Sequence, residues 1–263
     1  ITKIAKSGWN QNLNMYDSER ESAPFSIFDT VTECTLRIYN SNNTVLFEKL
    51  DIHWSAFPNK QTASCSYYLD SEHSNSNNAE IYILGYSNVD TDEFDYNIIV
   101  HEWIHYFEDT ISRSDSIFGP HYQDDVLDSR NSFCEGLANA ISGIIGSRYY
   151  KDTMGVNQQN GFYIDMENEI INNNSAYNEL TITKLIYDLF DDGNKNISLK
   201  SDDDNISLSL SLLYDVLTHP EYKNSDAFIN IYLFISILKK IYTNNDNLID
   251  DLCLQYNIRV NDE

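Results

Sequence analysis

The sequence predicts an α+β fold, with its strands gathered early and its helices late. Three observations carry this expectation. Short segments rich in β-branched and aromatic residues fall between residues 50 and 84. From about residue 90 onward, apolar residues recur mainly at helical spacing. Apolar residues make up 41 % of the 263, enough for a real core in one large domain or in a domain with a smaller partner. Strands first and helices afterwards argue against an alternating α/β chain.

Residues 1–21 are polar and weakly patterned and read as an N-terminal arm. Pro24 suits the first turn of a helix through Phe25, Ile27, Phe28, Val31 and Leu36. Val31 to Tyr39 is also rich in β-branched residues and reads equally as a strand. Three candidate strands follow: Leu50 to Trp54, Ser64 to Leu69 and Glu80 to Leu84, with Ser71 to Asn78 as a polar loop. Asp90 and Glu93 have the spacing of a capping box, so a helix is expected to start near Asp90. Val100, Trp103, Ile104, Phe107 and Ile111 continue it at helical spacing, and Gly119-Pro120 lies in the loop that ends the unit. A second helix fits Leu127 to Ile145. Later helices fit Leu180 to Phe190, Ser207 to Leu217, Ser225 to Tyr242 and Asn247 to Tyr256, interrupted by an acidic, Asn-rich loop from Asp191 to Asn205. The expected organisation is the arm, a part from 22 to 152, and a helical part from 153 to 263, with no internal repeat.

The 41 acidic residues against 17 basic ones give a formal charge of −24. Such a field repels phosphate backbones and anionic lipid, so nucleic acid and membrane surfaces are not expected partners. The longest apolar run, Ala227 to Leu238, is broken by Asn230 and Ser236. It falls short of the roughly 18 residues that span a bilayer, so no membrane insertion is expected. A chain starting at Ile1 fits a cleaved signal peptide and fits equally a longer chain cut back at its start. The cysteines, Cys34, Cys65, Cys134 and Cys253, have no CxxC spacing and are expected to be buried free thiols.

The sequence His101-Glu102-Trp103-Ile104-His105 is an HExxH motif. Residues four apart on a helix differ by about 40° and sit one turn apart, so both imidazoles can bind one ion. Glu102 lies to one side and can act on a water without being a ligand, as a zinc hydrolase requires of its base. With six histidines, chance gives this motif in roughly one such chain in a hundred. The bland alternative is a buried helix with two satisfied histidines. Context favours the metal. Val100, Trp103, Ile104 and Phe107 form an apolar face, while Asn97, His101, His105 and Glu108 form a separate polar stripe.

A catalytic zinc takes a third protein ligand and keeps an open position. His121, several aspartates and Glu135 are downstream candidates. Around Glu135, the residues Phe133, Leu137, Ala140, Ile141 and Ile144 are apolar, and Asn131, Ser132, Glu135, Asn139 and Ser142 make a polar stripe. A carboxylate at the centre of such a helix is costly unless paired or on a metal. Gly136 beside it allows close helix approach. The expected ligands are therefore His101, His105 and Glu135, holding one catalytic Zn2+ with Glu102 as base.

The run HEWIHYFE, followed after a loop by FCEGLANAISG, resembles the gluzincin metallopeptidases. More closely, the chain is similar to a group of uncharacterised bacterial exported proteins with the pattern HEWGHYFED…SRSDS…GGPHS…EGWGNA. The likeness extends upstream through HWS, SYY and IYILG and downstream through KLIYDLFD and LYDVLTHP. It implies a zincin-like fold, a small mixed sheet with an HExxH helix and a Glu-ligand helix, and secretion from a bacterial cell. It also implies hydrolysis of peptide bonds in a peptide or protein substrate. Asn139 falls where gluzincins place an Asp that orients a histidine ligand, and Glu80 to Leu84 becomes the candidate edge strand for substrate. Ile104 stands where that pattern has Gly, Leu137 where it has an aromatic residue, and Phe118 where it has Gly.

An oxyanion donor is also needed. His121 and Tyr122 lie in the loop joining the two metal helices, and Tyr149 and Tyr150 follow the second; His121 is the first choice. Asn139 is the first choice to orient an imidazole and Glu108 the second. Asp115, Asp124 and Asp125 read as solvated loop charges, with Arg113 and Arg130 as structural partners. The 191–205 loop is a weak Ca2+ candidate, because its spacing is not that of an EF-hand. Two other functions compete. One is a non-catalytic binding protein stabilised by zinc, with His121 as fourth ligand. The other is a zinc hydrolase of a non-peptide amide.

Overall fold

The computed structural model describes residues 20–56, 65–74, 76–86, 90–117, 119, 121, 125–152, 162–167, 171, 174–191, 206–243 and 245–260. These build an α+β fold with eight helices and three small sheets among the described residues.

The first helix, α1 (Ala23–Ser41), resolves the early ambiguity in favour of helix. Ala23, Ile27, Thr30, Cys34 and Ile38 are its buried residues. Their spacing gives one stripe against the core, and that packing outweighs the β preference of Val31 and Thr35. Strands β1 (Leu50–Trp54), β2 (Tyr67–Leu69) and β3 (Ala79–Ile83) form a mixed sheet in the order β1-β3-β2. β3 runs parallel to β1 and antiparallel to β2, with Ile81 opposite both Ile52 and Tyr68. The segment Glu80 to Leu84, expected at an edge, therefore supplies the central strand. Its backbone is engaged on both sides, and no substrate strand can add to it.

A second correction concerns the start of the HExxH helix. Asp90–Thr91 forms β5, paired antiparallel with β4 (Gly85–Tyr86), and helix α2 (Tyr96–Thr110) begins after Asp95. The Asp90 and Glu93 spacing is not a capping box. Glu93 is fully buried, where Arg20 Nε donates to it at 2.5 Å.

Helix α3 (Ser129–Ile145) is capped by Asp128, whose side chain accepts from the Arg130 backbone N–H. A hairpin of β6 (Tyr149–Asp152) and β7 (Phe162–Asp165) follows, where no strands were expected. Helix α4 (Glu179–Phe190) is capped by Asn178, and α5 spans Leu210–Leu217. The helix expected over 225–242 is the shorter α7 (Ile231–Ile241); a short α6 (Pro220–Lys223), not expected from the sequence, precedes it, and the last helix is α8 (Asp246–Gln255). Asn230 accepts hydrogen bonds from the Tyr232 and Leu233 N–H groups, which fixes the start of α7.

Trp103, Ile104 and Phe107 of α2 and Phe133 and Leu137 of α3 are fully buried in one apolar cluster that reaches from Ile27 to Ile258. Each such side chain contributes about 1.5–3 kcal/mol through burial. Helices α3 and α4 press together at Gly136. A Cβ there would stand 2.6 Å from Ile182 Cβ and 2.8 Å from the Glu179 carbonyl oxygen. Ile104 and Leu137, two departures from the resembled pattern, are packing residues of this core; the third, Phe118, lies outside the described residues.

Arg113 pairs with Asp115 at 2.8 Å and also donates to the Ser225 and Ala227 carbonyls. Asp115 in turn accepts from the Ile229 N–H, so it ties the loop after α2 to the start of α7 rather than standing in solvent. Arg130 pairs with Asp128, and Asp124 lies outside the described residues. None of the four cysteines is in a disulfide; Cys34, Cys134 and Cys253 are buried as expected, while Cys65 is exposed. Among the described residues no helix is long and apolar enough to cross a membrane.

Candidate metal centre

His101 and His105 stand one turn apart on α2, and Glu135 faces them from α3. Glu135 Oε2 lies 3.1 Å from His101 Nε2 and 3.4 Å from His105 Nε2, and the two Nε2 atoms are 3.0 Å apart. A tetrahedral zinc with bonds of about 2.0–2.1 Å places its ligand atoms about 3.3 Å from one another. The triangle therefore has the dimensions of one face of a zinc tetrahedron. All three side chains are mostly buried.

The ring nitrogens on the far side are spoken for. His101 Nδ1 lies 2.8 Å from Asn139 Oδ1, and Asn139 Nδ2 donates to Glu179 Oε1 at 2.6 Å. The carboxylate accepts only, so the Asn139 amide must turn its oxygen toward His101, and His101 Nδ1 carries the proton. His105 Nδ1 lies 3.2 Å from Glu108 Oε2, which again places the proton on Nδ1. Both Nε2 lone pairs then point at one small volume. Two neutral imidazoles in this tautomer repel at 3.0 Å unless a cation or a proton sits between them. The donor set of His101, His105 and Glu135 therefore has the chemistry and spacing that could hold a zinc ion.

Without a metal the cluster behaves as a buried ion pair. Burial raises the Glu135 carboxyl, but the His105 and His101 imidazoles outweigh it and hold the group well below the usual carboxylate range. Burial lowers His105, yet Glu135 and Glu108 outweigh it and lift its pKa well above the ordinary value. Glu102, next to His101 on α2, is buried but is not one of the three converging groups. Burial raises its carboxyl, held back by the two imidazoles and by the Tyr68 backbone on β2.

His121 is brought to the centre. Its Nε2 lies 3.2 Å from Glu179 Oε2 and 3.6 Å from Glu135 Oε2, and Nδ1 lies 3.0 Å from the Gly119 carbonyl. The group that closes within 4.8 Å contains His101, His105 and Glu135 and leaves His121 out. Tyr150 is buried beside the site, with its ring edge-on to His101 at 6.3 Å between centroids. Burial, with Glu102 and Glu179 nearby, raises its hydroxyl well above the ordinary value, so it keeps its proton. Tyr149 instead lines a cavity of about 460 Å³ with Tyr96, Gly146 and Lys151, none of them a metal-centre residue. Tyr122 and residues 192–205 of the acidic loop lie outside the described residues.

Glu179 is the residue that the sequence did not reveal. It joins Asn139 to His121 from the first turn of α4, and its only sequence signal is an acidic residue just after the Asn178 cap. No family model, curated protein or solved structure matches this chain.

Proposed function

We propose that this chain is a zinc-dependent peptidase on a zincin-like fold, with peptide or protein as substrate. The observation that carries the reading is the triangle of His101 Nε2, His105 Nε2 and Glu135 Oε2, whose imidazole tautomers are fixed by Asn139 and Glu108. Zinc held there would supply a Lewis acid and acidify a water. Glu102 takes the proton from the attacking water and returns it to the leaving amine. Its burial suits this role, because a carboxyl raised above its usual range is better matched to both steps. We assign the oxyanion to His121, 3.6 Å from Glu135, and to Tyr150, beside the His101 ring. Strand β2 is the sheet edge beside Glu102 and is the strand to which an extended substrate backbone would add.

The non-catalytic reading requires a fourth protein ligand. His121 stands near Glu135 but outside the closed group, which favours an open position and a catalytic centre. The test is Glu102→Gln with zinc supplied, read by mass spectrometry of a peptide library and by elemental analysis. We expect cleavage to fall at least a thousandfold, about 4 kcal/mol in the barrier, with zinc content unchanged. Full activity in this variant would remove Glu102 from the mechanism.

A further inference from the structure

A second group of ligating side chains lies outside the His101, His105 and Glu135 centre. Asp90 lies in β5, Asp92 follows it, and Asp152 ends β6. One oxygen from each stands within 4.8 Å of the other two. Their exposures are 5 %, 3 % and 7 %, so three carboxyl groups are packed together away from water.

The backbone of Asp92 is held on both sides. Its N–H donates to the Leu84 carbonyl at 2.8 Å and its own carbonyl accepts from Asp95 N–H at 3.0 Å. Ser66 Oγ donates to Asp92 Oδ2 and itself accepts from the Leu84 N–H. The other oxygen, Asp92 Oδ1, is buried and has no hydrogen-bond partner. That atom separates the two ways of relieving such a cluster. A proton shared with Asp92 would give it a carboxyl–carboxylate hydrogen bond, and its Oδ1 accepts none while Oδ2 takes the Ser66 hydroxyl. A cation needs an oxygen with a lone pair to spare, which Oδ1 is.

We propose that Asp90, Asp92 and Asp152 form a second cation site, for one hard divalent ion of the calcium class. The donor set is all carboxylate, with neither imidazole nor thiolate, which suits Ca2+ and not zinc. Buried, partly dehydrated oxygens favour Ca2+ over Mg2+, which gives up its water reluctantly. The ion ties strand β5 and the residue after it to strand β6. It thereby holds Tyr150, two residues before Asp152, against the His101 ring. Burial, then the Asp152, Asp90 and Asp95 charges, raises the Asp92 carboxyl well above its usual range against the Ser66 hydrogen bond. The proposal does not rest on the peptidase reading.

The test uses the full chain with zinc supplied, so that the histidine centre is already filled. Calcium chloride is added, and binding is followed by calorimetry and by the thermal midpoint. One Ca2+ per chain is expected, with the midpoint rising about 5–10 °C at a hundredfold excess over Kd. Asp92→Asn should lower the Ca2+ affinity at least tenfold and leave the calcium-free midpoint unchanged or higher, because it removes a like charge. Asp202→Asn, Asp203→Asn and Asp204→Asn together should leave Ca2+ binding intact. Should Asp92→Asn fail to fold, terbium emission excited through the aromatic side chains of the unaltered protein, and quenched by Ca2+, is the expected second result. Absence of Ca2+ binding, an equal midpoint rise in Asp92→Asn, loss of binding in the triple variant, or terbium emission that Ca2+ does not displace would each overturn the proposal.

Discussion

Asn139 on α3 donates its amide N–H to Glu179 on α4 at 2.6 Å, and this bond reaches the metal centre. It decides which end of the Asn139 amide faces His101, and so which nitrogen of His101 holds the proton. The chain of effects runs from a helix crossing to a tautomer, and from the tautomer to a lone pair available for zinc.

Replacing Glu179 by Gln should therefore weaken zinc binding although Glu179 touches no expected ligand directly except through Asn139 and His121. A Gln amide lets Asn139 rotate and offer N–H to His101. The expected loss is about 10–100-fold in zinc affinity, measured by competition with a coloured chelator, with the circular dichroism spectrum retained. Unchanged affinity would show that Asn139 is fixed without Glu179.

His121 gives a pH prediction for the metal-free protein. The Glu179 carboxylate raises its pKa, burial opposes, and Glu135 adds to the rise, bringing it to about 9. The folded value lies above the unfolded one of about 6.5. The stabilising interaction is thus fully present below about 6.5 and is lost as the pH rises through about 9. A proton NMR titration of the His121 ring should show a midpoint near 9, and Glu179→Gln should bring it down. An ordinary midpoint in the unaltered protein would mean that the His121 and Glu179 pair does not form.

Gly136→Ala tests the crossing itself. The added methyl meets Ile182 Cβ at 2.6 Å and the Glu179 carbonyl oxygen at 2.8 Å, and a carbonyl on the backbone cannot swing aside. A loss of about 1–3 kcal/mol in urea unfolding is expected from overpacking, outweighing the gain in helix propensity of about 1 kcal/mol. Zinc affinity should fall with it, because Glu135 and Glu179 both flank the contact. An unchanged midpoint would show that α3 and α4 can part at little cost.

What the sequence made legible follows the range of the interaction. His101, Glu102 and His105 lie within two turns of one helix, and Asn139 is four residues from Glu135 on one stripe, so local periodicity puts each set on one helix. Glu179 is 40 residues from Asn139 and meets it only because α3 and α4 cross at Gly136. The central place of β3 depends on a parallel pairing with β1 that skips β2, which no local pattern encodes. Asp90 and Glu93 imitated a helix cap because spacing was the only signal, while the structure uses Glu93 to neutralise Arg20. The hairpin at Tyr149 and Phe162 was readable from its β-forming residues, but adjacent helical periodicity masked it.

The most direct test of the central claim is zinc stoichiometry by elemental analysis, on the purified chain beside Glu135→Ala. About one zinc per chain is expected, sharply reduced in the variant while circular dichroism shows the fold retained. No zinc in the unaltered chain after incubation with zinc, or one zinc kept in both proteins, would contradict the three-ligand centre of His101, His105 and Glu135.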